Sequence, residues 1–327
     1  MSSKTAFVTG AGGFIGRHLV RDLLAQDYQV TALMFPGEPV PSEWGGRVKL
    51  VEGDIRTLDT LKEKVGSFNL LFHLAAVVSD WGARQEHVDI TVNGTRHAIT
   101  LALANDAHFI VTTSVCAYAD ALGKGYLNEE SLVGEATSSY EFCKQEQERV
   151  TLDAVTHKGL KATIVRPGNV FGVGSVPWVN IPVEMIRKGS PVMMGKGDWD
   201  AGLVHASNLV HLMMLIADSN FTQGEVFLGS DGFGVTWKEY WHRLAEVTGA
   251  PKPKRIPNIV GRILAPVLEW IGTVINQKER PLITRQAFRL TGGPNIFSTD
   301  KAQKLLGYAP PVSFEQAMSE LEDYFQK

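Results

Sequence analysis

The chain has few of the features that mark secreted, membrane-spanning or nucleic-acid-binding proteins. Its 327 residues include only two cysteines, Cys116 and Cys143, which excludes a disulfide framework and suits a reducing compartment. The net charge is −3 and the basic residues are not clustered along the sequence, so a nucleic-acid surface is not indicated. No apolar run reaches the length of a membrane-spanning helix. We therefore expect a cytoplasmic protein that binds no nucleic acid.

The first residues and the composition of the chain are typical of a soluble globular protein. Met1-Ser2-Ser3-Lys4 leads directly into an apolar segment, without the basic, apolar and small-residue regions of a secretory signal, so none is expected. Apolar residues make up 44% and charged residues 20% of the chain, which is ordinary for a soluble protein with a sizeable core. This length predicts one large domain or two intimate ones.

Short apolar runs alternate with amphipathic segments in the first half of the chain. Strands are predicted at residues 5–9, 28–34, 48–52, 69–75, 108–114 and 160–166, and helices at 14–26, 84–104 and 140–157. Near-continuous apolar strands separated by helices are typical of a parallel sheet covered on both faces. Because a glycine-rich turn follows the first strand, the pattern predicts an α/β, doubly wound Rossmann fold.

Prolines and glycines become frequent after Gly172, where the chain changes character. We predict a dinucleotide-binding domain over residues 1–172, to which 202–230 return with a helix and the strand Glu225–Gly229. Residues 173–201 and 231–327 are predicted to form a smaller, mixed α/β substrate-binding region. Helices are predicted there at 236–248, 259–275, 297–306 and 313–326.

The turn after the first strand reads Thr-Gly-Ala-Gly-Gly-Phe-Ile-Gly, residues 9–16. Gly10 permits a tight turn, Gly13 allows backbone to approach a pyrophosphate, and Gly16 allows the helix to pack closely on the strand. The helix N-terminus offers N–H groups to the phosphates. The turn, with Phe14 and Ile15, therefore predicts a site for NAD(P).

The sequence around the second and third strands bears on the choice of cofactor. The second strand ends in Leu33-Met34-Phe35, without the acid that holds the ribose 2′-hydroxyl of NAD. Arg17 can reach a 2′-phosphate or can be a solvated helix residue, and we favour NADP(H). Asp54, followed by Ile55, is placed to bind the adenine amino group or to cap the next turn.

A potential catalytic group lies further along the chain. Tyr140 and Lys144 are four residues apart and share one face of a helix. A tyrosine hydroxyl has an ordinary pKa of about 10, and a neighbouring ammonium favours its ionised form. Ser114, at the end of a strand, can hold a substrate oxygen. Each is commonplace alone, as an exposed helix pair or a strand-end serine, but their order after the glycine turn predicts a hydride-transfer site.

The motifs together resemble the extended short-chain dehydrogenases/reductases of the NAD-dependent epimerase/dehydratase superfamily. Besides the glycine turn and Tyr140-Glu-Phe-Cys-Lys144, they include the segments 73–76, 113–118, 166–172, 202–205 and 306–310, and they span nearly the whole chain. The resemblance implies that Ser114, Tyr140 and Lys144 are catalytic. It further implies that the cofactor is bound by Gly10, Gly13, Gly16, Asp54, Ala75, Ala76 and Pro167. Tyr140 and Lys144 are also expected to bind the cofactor, with Lys144 holding the nicotinamide ribose. Thr91 stands where the family often has asparagine.

The loop that carries Trp81-Gly82 is similar to the 3β-hydroxysteroid dehydrogenase-like and dihydroflavonol reductase-like branch. That resemblance implies interconversion of a ketone and a secondary alcohol on a bulky, largely apolar substrate. Trp81, Trp178, Val179 and the pair Met193–Met194 suit such a pocket, although core packing is the commoner role for any single one of them. We also expect a homodimer and no metal site.

Two other functions remain open at this point. A nucleotide-sugar epimerase or dehydratase on this scaffold needs cations for a second pyrophosphate, and Arg280, Arg285 and Arg289 within 277–291 are candidates, although that stretch can also be a solvated helix face. A non-catalytic dinucleotide sensor would not need the three catalytic residues. The apolar segment 259–275 is too interrupted to span a bilayer, and it can cover the substrate pocket or rest on a membrane surface. Covering the pocket is the favoured interpretation.

Overall fold

The computed structural model describes residues 4–219 and 223–326 of the chain. Its strands are β1 (Thr5–Thr9), β2 (Gln29–Met34), β3 (Val48–Glu52), β4 (Leu70–His73), β5 (His108–Thr112), β6 (Gly125–Leu127), β7 (Ala162–Pro167), β8 (Asn169–Phe171), β9 (Pro191–Met194), β10 (Leu203–His205), β11 (Gln223–Gly229), β12 (Lys254–Ile256) and β13 (Asn295–Phe297). Its α-helices are α1 (Phe14–Ala25), α2 (Lys62–Val65), α3 (Arg84–His87), α4 (Gly94–Ala104), α5 (Ser139–Lys158), α6 (Ile181–Arg187), α7 (Ala206–Ala217), α8 (Trp237–Val247), α9 (Asn258–Val274), α10 (Arg285–Thr291), α11 (Asp300–Leu306) and α12 (Phe314–Phe325).

Seven strands form one sheet in the order β3-β2-β1-β4-β5-β7-β11, and all neighbours are parallel. Strands β4, β5 and β7 are buried along their whole length because helices cover both faces of the sheet. The order reverses between β1 and β4, where a doubly wound sheet opens a crevice for ligands at its carboxyl edge. The predicted Rossmann architecture is confirmed.

Two apolar cores lie on opposite faces of this sheet. On one face, Leu19 and Leu23 of α1 pack with Leu209 and Met213 of α7. On the other face, residues of α4 and α5 pack against β4, β5 and β7. A third apolar cluster joins α8 and α12 to Phe171, Val179 and Met193 outside the sheet. The predicted division of the chain into two domains stays a prediction.

Two predicted helices differ from the observed ones, and one stretch considered as a possible helix face is helical only in its second half. The segment 84–104 contains a π-helical turn, Val88–Asn93, between α3 and α4. Phe297 was placed at the start of a helix but ends β13, which pairs with β6, and α11 begins only at Asp300. Helix α10 begins at Arg285, so the first half of the stretch 277–291 is not helical. Apolar periodicity does not detect these short pairings because their partners are distant in sequence.

The described parts of the chain contain no helix that is both long and apolar enough to cross a bilayer.

A buried ion pair links α5 to β7. Arg166 donates to both oxygens of Glu148, at 2.8 and 2.7 Å, and both side chains are only 7% exposed. The Glu148 carboxylate also accepts from the Thr113 hydroxyl at 2.8 Å. Removing one partner would leave a charge without compensation inside the protein, which is far more costly than losing an exposed pair.

We expect Glu148→Gln to lower the free energy of unfolding by about 3 kcal/mol, because Arg166 would remain buried without its counter-charge. Glu146→Gln on the same helix, which breaks the exposed pair with Arg149, is the matched control and should cost less than about 1 kcal/mol. Urea denaturation followed by circular dichroism measures both. Equal losses in the two variants would show that the buried pair contributes little.

Candidate active site

The glycine turn brings three segments of the chain into direct contact. Gly10 has a positive φ of 68°, and a Cβ there would lie 2.8 Å from the backbone nitrogen of Ala75, just after β4. A Cβ on Gly16 would overlap the carbonyl oxygen of Gly10. These two positions therefore require glycine, one for its conformation and both for the close approach. The turn, the start of α1 and the end of β4 meet at one point.

Helix α1 begins at this turn without a side-chain cap. Gly13 is its N-cap, and no acidic residue lies in the first turn. The unsatisfied N–H groups and the helix dipole therefore remain available to an anion. Phe14 packs edge-on against His18, and Ile15 packs against the core, so both hold the turn in place. The cradle fits the pyrophosphate of a dinucleotide.

The carboxylate of Glu38, which was not among the predicted cofactor-binding residues, lies over this turn. A Cβ on Gly12 would overlap the Glu38 carboxylate and would lie 2.8 Å from its Cδ and 3.2 Å from Met34 Cε. Glu38 accepts from the backbone N–H of Phe35 at 3.0 Å, so the side chain folds back towards the end of β2. Its position, about 20 residues beyond the glycines, is the sequence signal that could have found it.

The other predicted adenosine-side residues have partners of their own. Arg17 donates to Glu43 at 2.9 and 2.6 Å. Asp54 caps the next turn through the backbone N–H of Arg56 and binds the guanidinium of Arg56, which holds the pKa of Asp54 below its ordinary value. Ile55 is buried and packs against Gly94. The cofactor contacts predicted for these residues stay predictions.

The predicted catalytic residues converge at the carboxyl edge of the sheet. Ser114 follows β5, and its side chain lies near enough to Tyr140, at the start of α5, to act on the pKa of the tyrosine. The Nζ of Lys144 lies 5.7 Å from the centroid of the Tyr140 ring. Pro167 ends β7 at the same edge. Because the strands are parallel, their carboxyl ends bring these residues to the same edge as Gly10 and Ala75.

Burial changes the ionisation of Tyr140 and Lys144, two of the predicted catalytic residues. Lys144 is only 3% exposed, and this desolvation lowers its pKa to about 8, although nearby Glu148 counteracts the shift. The pKa of Tyr140 is raised, mainly by burial and then by the Cys116 and Asp80 side chains, while the Ser114 side chain lowers it. In this arrangement Tyr140 is a neutral acid with a proton to donate.

The first turn of α5 is fixed from two sides. Ser138 caps the helix in a reciprocal arrangement with Glu141, the capping box. The buried Glu141 also accepts from Arg289 of α10 at 2.9 Å, and the Ser138 hydroxyl donates to Gln286 at 2.7 Å. Tyr140 therefore has its position set by α10 as well as by its own helix.

A buried chain of hydrogen bonds runs from the catalytic lysine to β1. Lys144 donates to Thr112 O at 3.2 Å and to Gln147 Oε1 at 2.9 Å, and Gln147 donates to Thr95 Oγ1 at 3.0 Å. His73 lies 2.9 Å from Thr95 Oγ1 and 2.8 Å from Thr9 Oγ1. Gln147 was not among the predicted site residues, because a glutamine one turn after the lysine belongs to no recognisable motif.

The proton positions in this chain follow from its members. Thr95 donates its hydroxyl hydrogen to Thr91 O at 2.6 Å, so its oxygen can only accept from Gln147 and from His73 Nε2. The proton of His73 is then on Nε2, and Nδ1 accepts from Thr9. Burial lowers the pKa of His73 to about 3, with a smaller contribution from Lys144, so the ring is neutral.

Thr91, which replaces the family asparagine, has a clear structural role. Its hydroxyl accepts from the backbone N–H of Val77 at 3.1 Å, in the segment that follows Ala76. It lies in the π-helical turn and is 1% exposed. Asn93, two residues on, instead donates to Asp89. Thr91 therefore holds the loop after β4 against α4.

Two loops meet beside Tyr140 and close this side of the site. Arg280 forms a two-pronged ion pair with Asp80 at 2.6 and 2.8 Å, and the Thr284 hydroxyl donates to the same carboxylate at 2.5 Å. Trp81 donates from Nε1 to Gln277 O at 2.9 Å. The loop after β4 is thereby tied to the segment between α9 and α10.

The residues predicted to line an apolar pocket fall into two groups. Val179, Met193 and Met194 are buried in clusters outside the sheet and serve as core. Trp178 is partly buried beside the cluster that also contacts Tyr140, and its ring lies 5.3 Å from that of Trp237. Trp178 and Trp81 are therefore the two of this set that border the catalytic residues.

Among the side chains that the structure describes, no three His, Cys, Asp or Glu residues are grouped so that they could hold a metal ion. Cys116 is buried next to Ser114, and burial raises its thiol pKa to about 12.

The contact between Gln147 and Lys144 predicts a pH effect. In Gln147→Leu the ammonium loses an acceptor, so we expect the pKa of Lys144 to fall further and the alkaline limb of the kcat/KM profile to move to lower pH. In Gln147→Glu the added negative charge should move the limb to higher pH.

The control for this prediction is Gln145→Leu, which removes two hydrogen bonds on the same helix, to Ala117 O and Gly134 O, without touching Lys144. It should lower stability and leave the pH profile in place. A profile that is unchanged in both Gln147 variants would assign Gln147 a structural role alone.

The chain is similar to known proteins over almost its whole length. The model of the NAD dependent epimerase/dehydratase family matches residues 6–228. A 2-alkyl-3-oxoalkanoate reductase of Shewanella oneidensis is 26% identical over 97% of this chain and 85% of its own. A ketoreductase of Stigmatella aurantiaca, named for 4-hydroxy-2-methyl-3-oxo-4-farnesyl-3,4-dihydroquinoline-1-oxide, is 27% identical over 96% of this chain and 95% of its own.

Among solved structures, UDP-glucose 4-epimerase from Thermotoga maritima with UDP-glucose superposes with a TM-score of 0.78, at 22% identity and 98% coverage of each chain. Identity this low shows a common fold alone. The family match spans more than half of the chain and includes the glycine turn and all three predicted catalytic residues. The chain therefore belongs to the NAD dependent epimerase/dehydratase family and is an NAD(P)-dependent oxidoreductase of the extended short-chain dehydrogenase/reductase type.

Proposed function

We propose that this enzyme interconverts a ketone and a secondary alcohol on a bulky, largely apolar substrate. The observation that carries this choice is the state of the three arginines on which a nucleotide-sugar site would depend. Arg280 is paired with Asp80, Arg285 with Glu269 and Arg289 with Glu141. A diphosphate is best bound by arginine forks that have no internal counter-charge.

The catalytic residues have distinct parts in the proposed reaction. The reduced nicotinamide would supply a hydride to the carbonyl carbon. Ser114 would hold the carbonyl oxygen, and Tyr140 would give its hydroxyl proton to that oxygen as charge develops. In the direction of oxidation, Tyr140 would take the proton back from the alcohol.

Lys144 would help to move that proton. Its ammonium lies beside the Tyr140 ring, so it would stabilise the phenolate that forms when the proton leaves. Gln147 and Thr112 O hold the ammonium from behind. Because Lys144 is buried, its charge is weakly screened and acts strongly on the tyrosine.

The apolar character of the substrate is supported by the residues around Tyr140 and by the named relatives. Trp81 and Trp178 offer large apolar surfaces beside the catalytic tyrosine. The two relatives described above are named as reductases of a 2-alkyl-3-oxoalkanoate and of a farnesyl-bearing dihydroquinoline oxide. Both names denote a keto group on a molecule with a large hydrocarbon part.

The second candidate, a nucleotide-sugar epimerase or dehydratase, is favoured by the shared fold alone. Breaking the Arg289–Glu141 pair to free a cation would leave a fully buried carboxylate unpaired, which is costly. This candidate is therefore the weaker one.

For the cofactor, we infer a preference for NAD(H) rather than the NADP(H) that Met34 and Arg17 indicate in the sequence. The Glu38 carboxylate beside Gly12 is placed to accept a hydrogen bond from the ribose 2′-hydroxyl and to repel a 2′-phosphate. Arg17, the predicted partner of that phosphate, is paired with Glu43.

The substrate proposal predicts NADH oxidation with apolar ketones, such as long-chain 2-alkyl-3-oxo acids or steroid ketones, and none driven by UDP- or dTDP-hexoses. Tyr140→Phe should lower kcat roughly a hundredfold or more while leaving NADH binding within a few-fold, because only the proton donor is lost. Absorbance at the NADH band and fluorescence titration measure the two effects. Thermal stabilisation by nucleotide sugars but not by ketones would favour the epimerase instead.

The cofactor proposal predicts that the wild type binds NADH more tightly than NADPH and that Glu38→Ala reduces this preference about tenfold or more. The reason is the loss of a charged acceptor and of its repulsion of phosphate. Glu63→Ala, an exposed acid on α2, is the control. Tighter binding of NADPH by the wild type would support the NADP(H) preference indicated by Met34 and Arg17.

A further inference from the structure

Helix α9 buries its small and charged residues and exposes most of its bulky apolar ones. The residues that it buries against the protein are small or charged: Gly261, Ala265, Glu269 and Gly272. Glu269 is held by the Arg285 side chain and accepts from the Arg285 backbone N–H at 2.7 Å. Most of the bulky apolar residues of this segment lie on the other side of the helix, and only Leu268 packs inward, beside Met194 and Ile283. The pocket-covering role expected for the segment stays a prediction.

Those bulky residues form a continuous exposed stripe. Ile259, Ile263, Val267, Trp270 and Val274 recur at intervals of three or four and are 61, 57, 43, 67 and 64% exposed. The flanking residues that extend the stripe are also exposed: Val260, Leu264, Ile271 and Ile275. Isolated exposed apolar residues are normal, but a contiguous face of this size marks an interaction surface.

Basic side chains border the N-terminal end of this stripe. Lys196, Lys238, Lys254 and Arg255 line one surface cavity together with His242 and a single acid, Asp198. A neighbouring cavity is lined by Lys196, Arg255 and Asn258, so the basic patch is continuous with the start of α9. The fold gathers these cations from three separate segments of the chain, at residues 196, 238 and 254–255.

The patch carries charge that the protein does not neutralise. Across the described part of the chain, no salt bridge involves Lys196, Lys238, Lys254, Arg255 or Arg262. Residues 252–280 contain six basic and two acidic residues, whereas the whole chain has a net charge of −3. This face is therefore positive on a protein that is negative overall.

We propose that α9 and the adjoining basic patch dock the enzyme on an anionic lipid surface. An amphipathic helix with bulky apolar residues on one side and cations beside them lies in the plane of a bilayer, with its apolar face in the headgroup region. Cations near the surface strengthen binding to anionic lipids. The cavity lined by basic residues reaches Asn258, the first residue of α9, so the two elements adjoin each other.

A second copy of the chain is the less suitable occupant. A two-fold dimer through α9 would place the same patch on both sides of the interface. The patch offers the cations of such a partner only one acid, Asp198, so the interface would leave most of these cations without a counter-charge. An anionic surface matches both the apolar stripe and the charge.

The helix that carries the docking face contacts the loop next to Tyr140 through its opposite, buried side. A Cβ on Gly272 would lie 3.0 Å from the Trp81 ring, and Gln277, just beyond the helix, accepts from Trp81. Docking would therefore set α9 between the lipid and this loop. Binding of lipid does not depend on the proposed reaction, and its test uses no substrate.

The test is co-sedimentation of the full-length protein with vesicles. Wild type should bind vesicles of phosphatidylglycerol mixed with phosphatidylcholine, bind phosphatidylcholine alone at least about tenfold more weakly, and lose binding as salt is raised. The double variant Ile263→Ser with Trp270→Ser should weaken binding at least about tenfold, because it removes two inserted apolar side chains. Lys254→Gln with Arg255→Gln should also weaken it about tenfold, for anionic vesicles only.

Two control variants lie outside the patch. Leu132→Ser removes an apolar side chain that is 89% exposed, and Lys304→Gln removes an exposed cation on α11; both should bind as wild type does. Thermal unfolding checks that every variant is folded. Absence of vesicle binding, equal binding to neutral and anionic vesicles, or unchanged binding of both patch variants would overturn the proposal. So would a dimer in sedimentation velocity that Trp270→Ser converts to a monomer, since a second copy would then cover the face.

Discussion

The position of the Lys144 ammonium is the constraint on which the site depends. It is removed from water and is held by Thr112 O and Gln147, whose amide continues through Thr95 and His73 to Thr9. Inside a protein such a chain is strong when every member is satisfied and costly when one is not. It therefore connects the lysine on α5 rigidly to the strand that leads into the glycine turn.

This connection has consequences at both ends. At the lysine end, burial lowers the pKa to about 8, which leaves the charge sensitive to each group that touches it. At the other end, Thr9 Oγ1 accepts weakly from the N–H of Ala75 at 3.4 Å, beside the close approach of Gly10. The catalytic group and the cofactor cradle are thus parts of one hydrogen-bonded framework, although they lie on different elements.

Internal ion pairs hold together the segments around the site. Three arginines that would suit a diphosphate instead attach α9, α10 and the loop after β4 to one another and to the start of α5. Glu269 of α9 binds Arg285 of α10, and the side of α9 that carries Glu269 therefore faces the protein. The bulky residues of α9 are left outside, where the basic patch adjoins them. Helix α9 therefore has two sides with different roles. One side holds Glu269, which pairs with Arg285, and the other exposes the bulky apolar residues.

The sequence was sufficient to identify the features that depend on local order. Alternating apolar runs predicted the Rossmann sheet, and the glycine spacing predicted the turn, because backbone geometry and burial leave periodic signatures within about ten residues. The order of the turn, Ser114, Tyr140 and Lys144 indicated a hydride-transfer site, since strand ends in a parallel sheet meet at one edge.

Long-range contacts decided the remainder. Glu38 lies over Gly12, Gln147 binds Lys144, Arg280 binds Asp80 two hundred residues away, and Phe297 pairs as a strand with β6. The sequence does not show which partner a charged side chain will bind, because several residues of the opposite charge are available. The packing of the elements decides which of them comes within hydrogen-bonding distance. The same holds for α9, whose apolar periodicity predicted the helix but not which of its sides faces the protein. The side that does so carries Glu269, whose carboxylate pairs with Arg285.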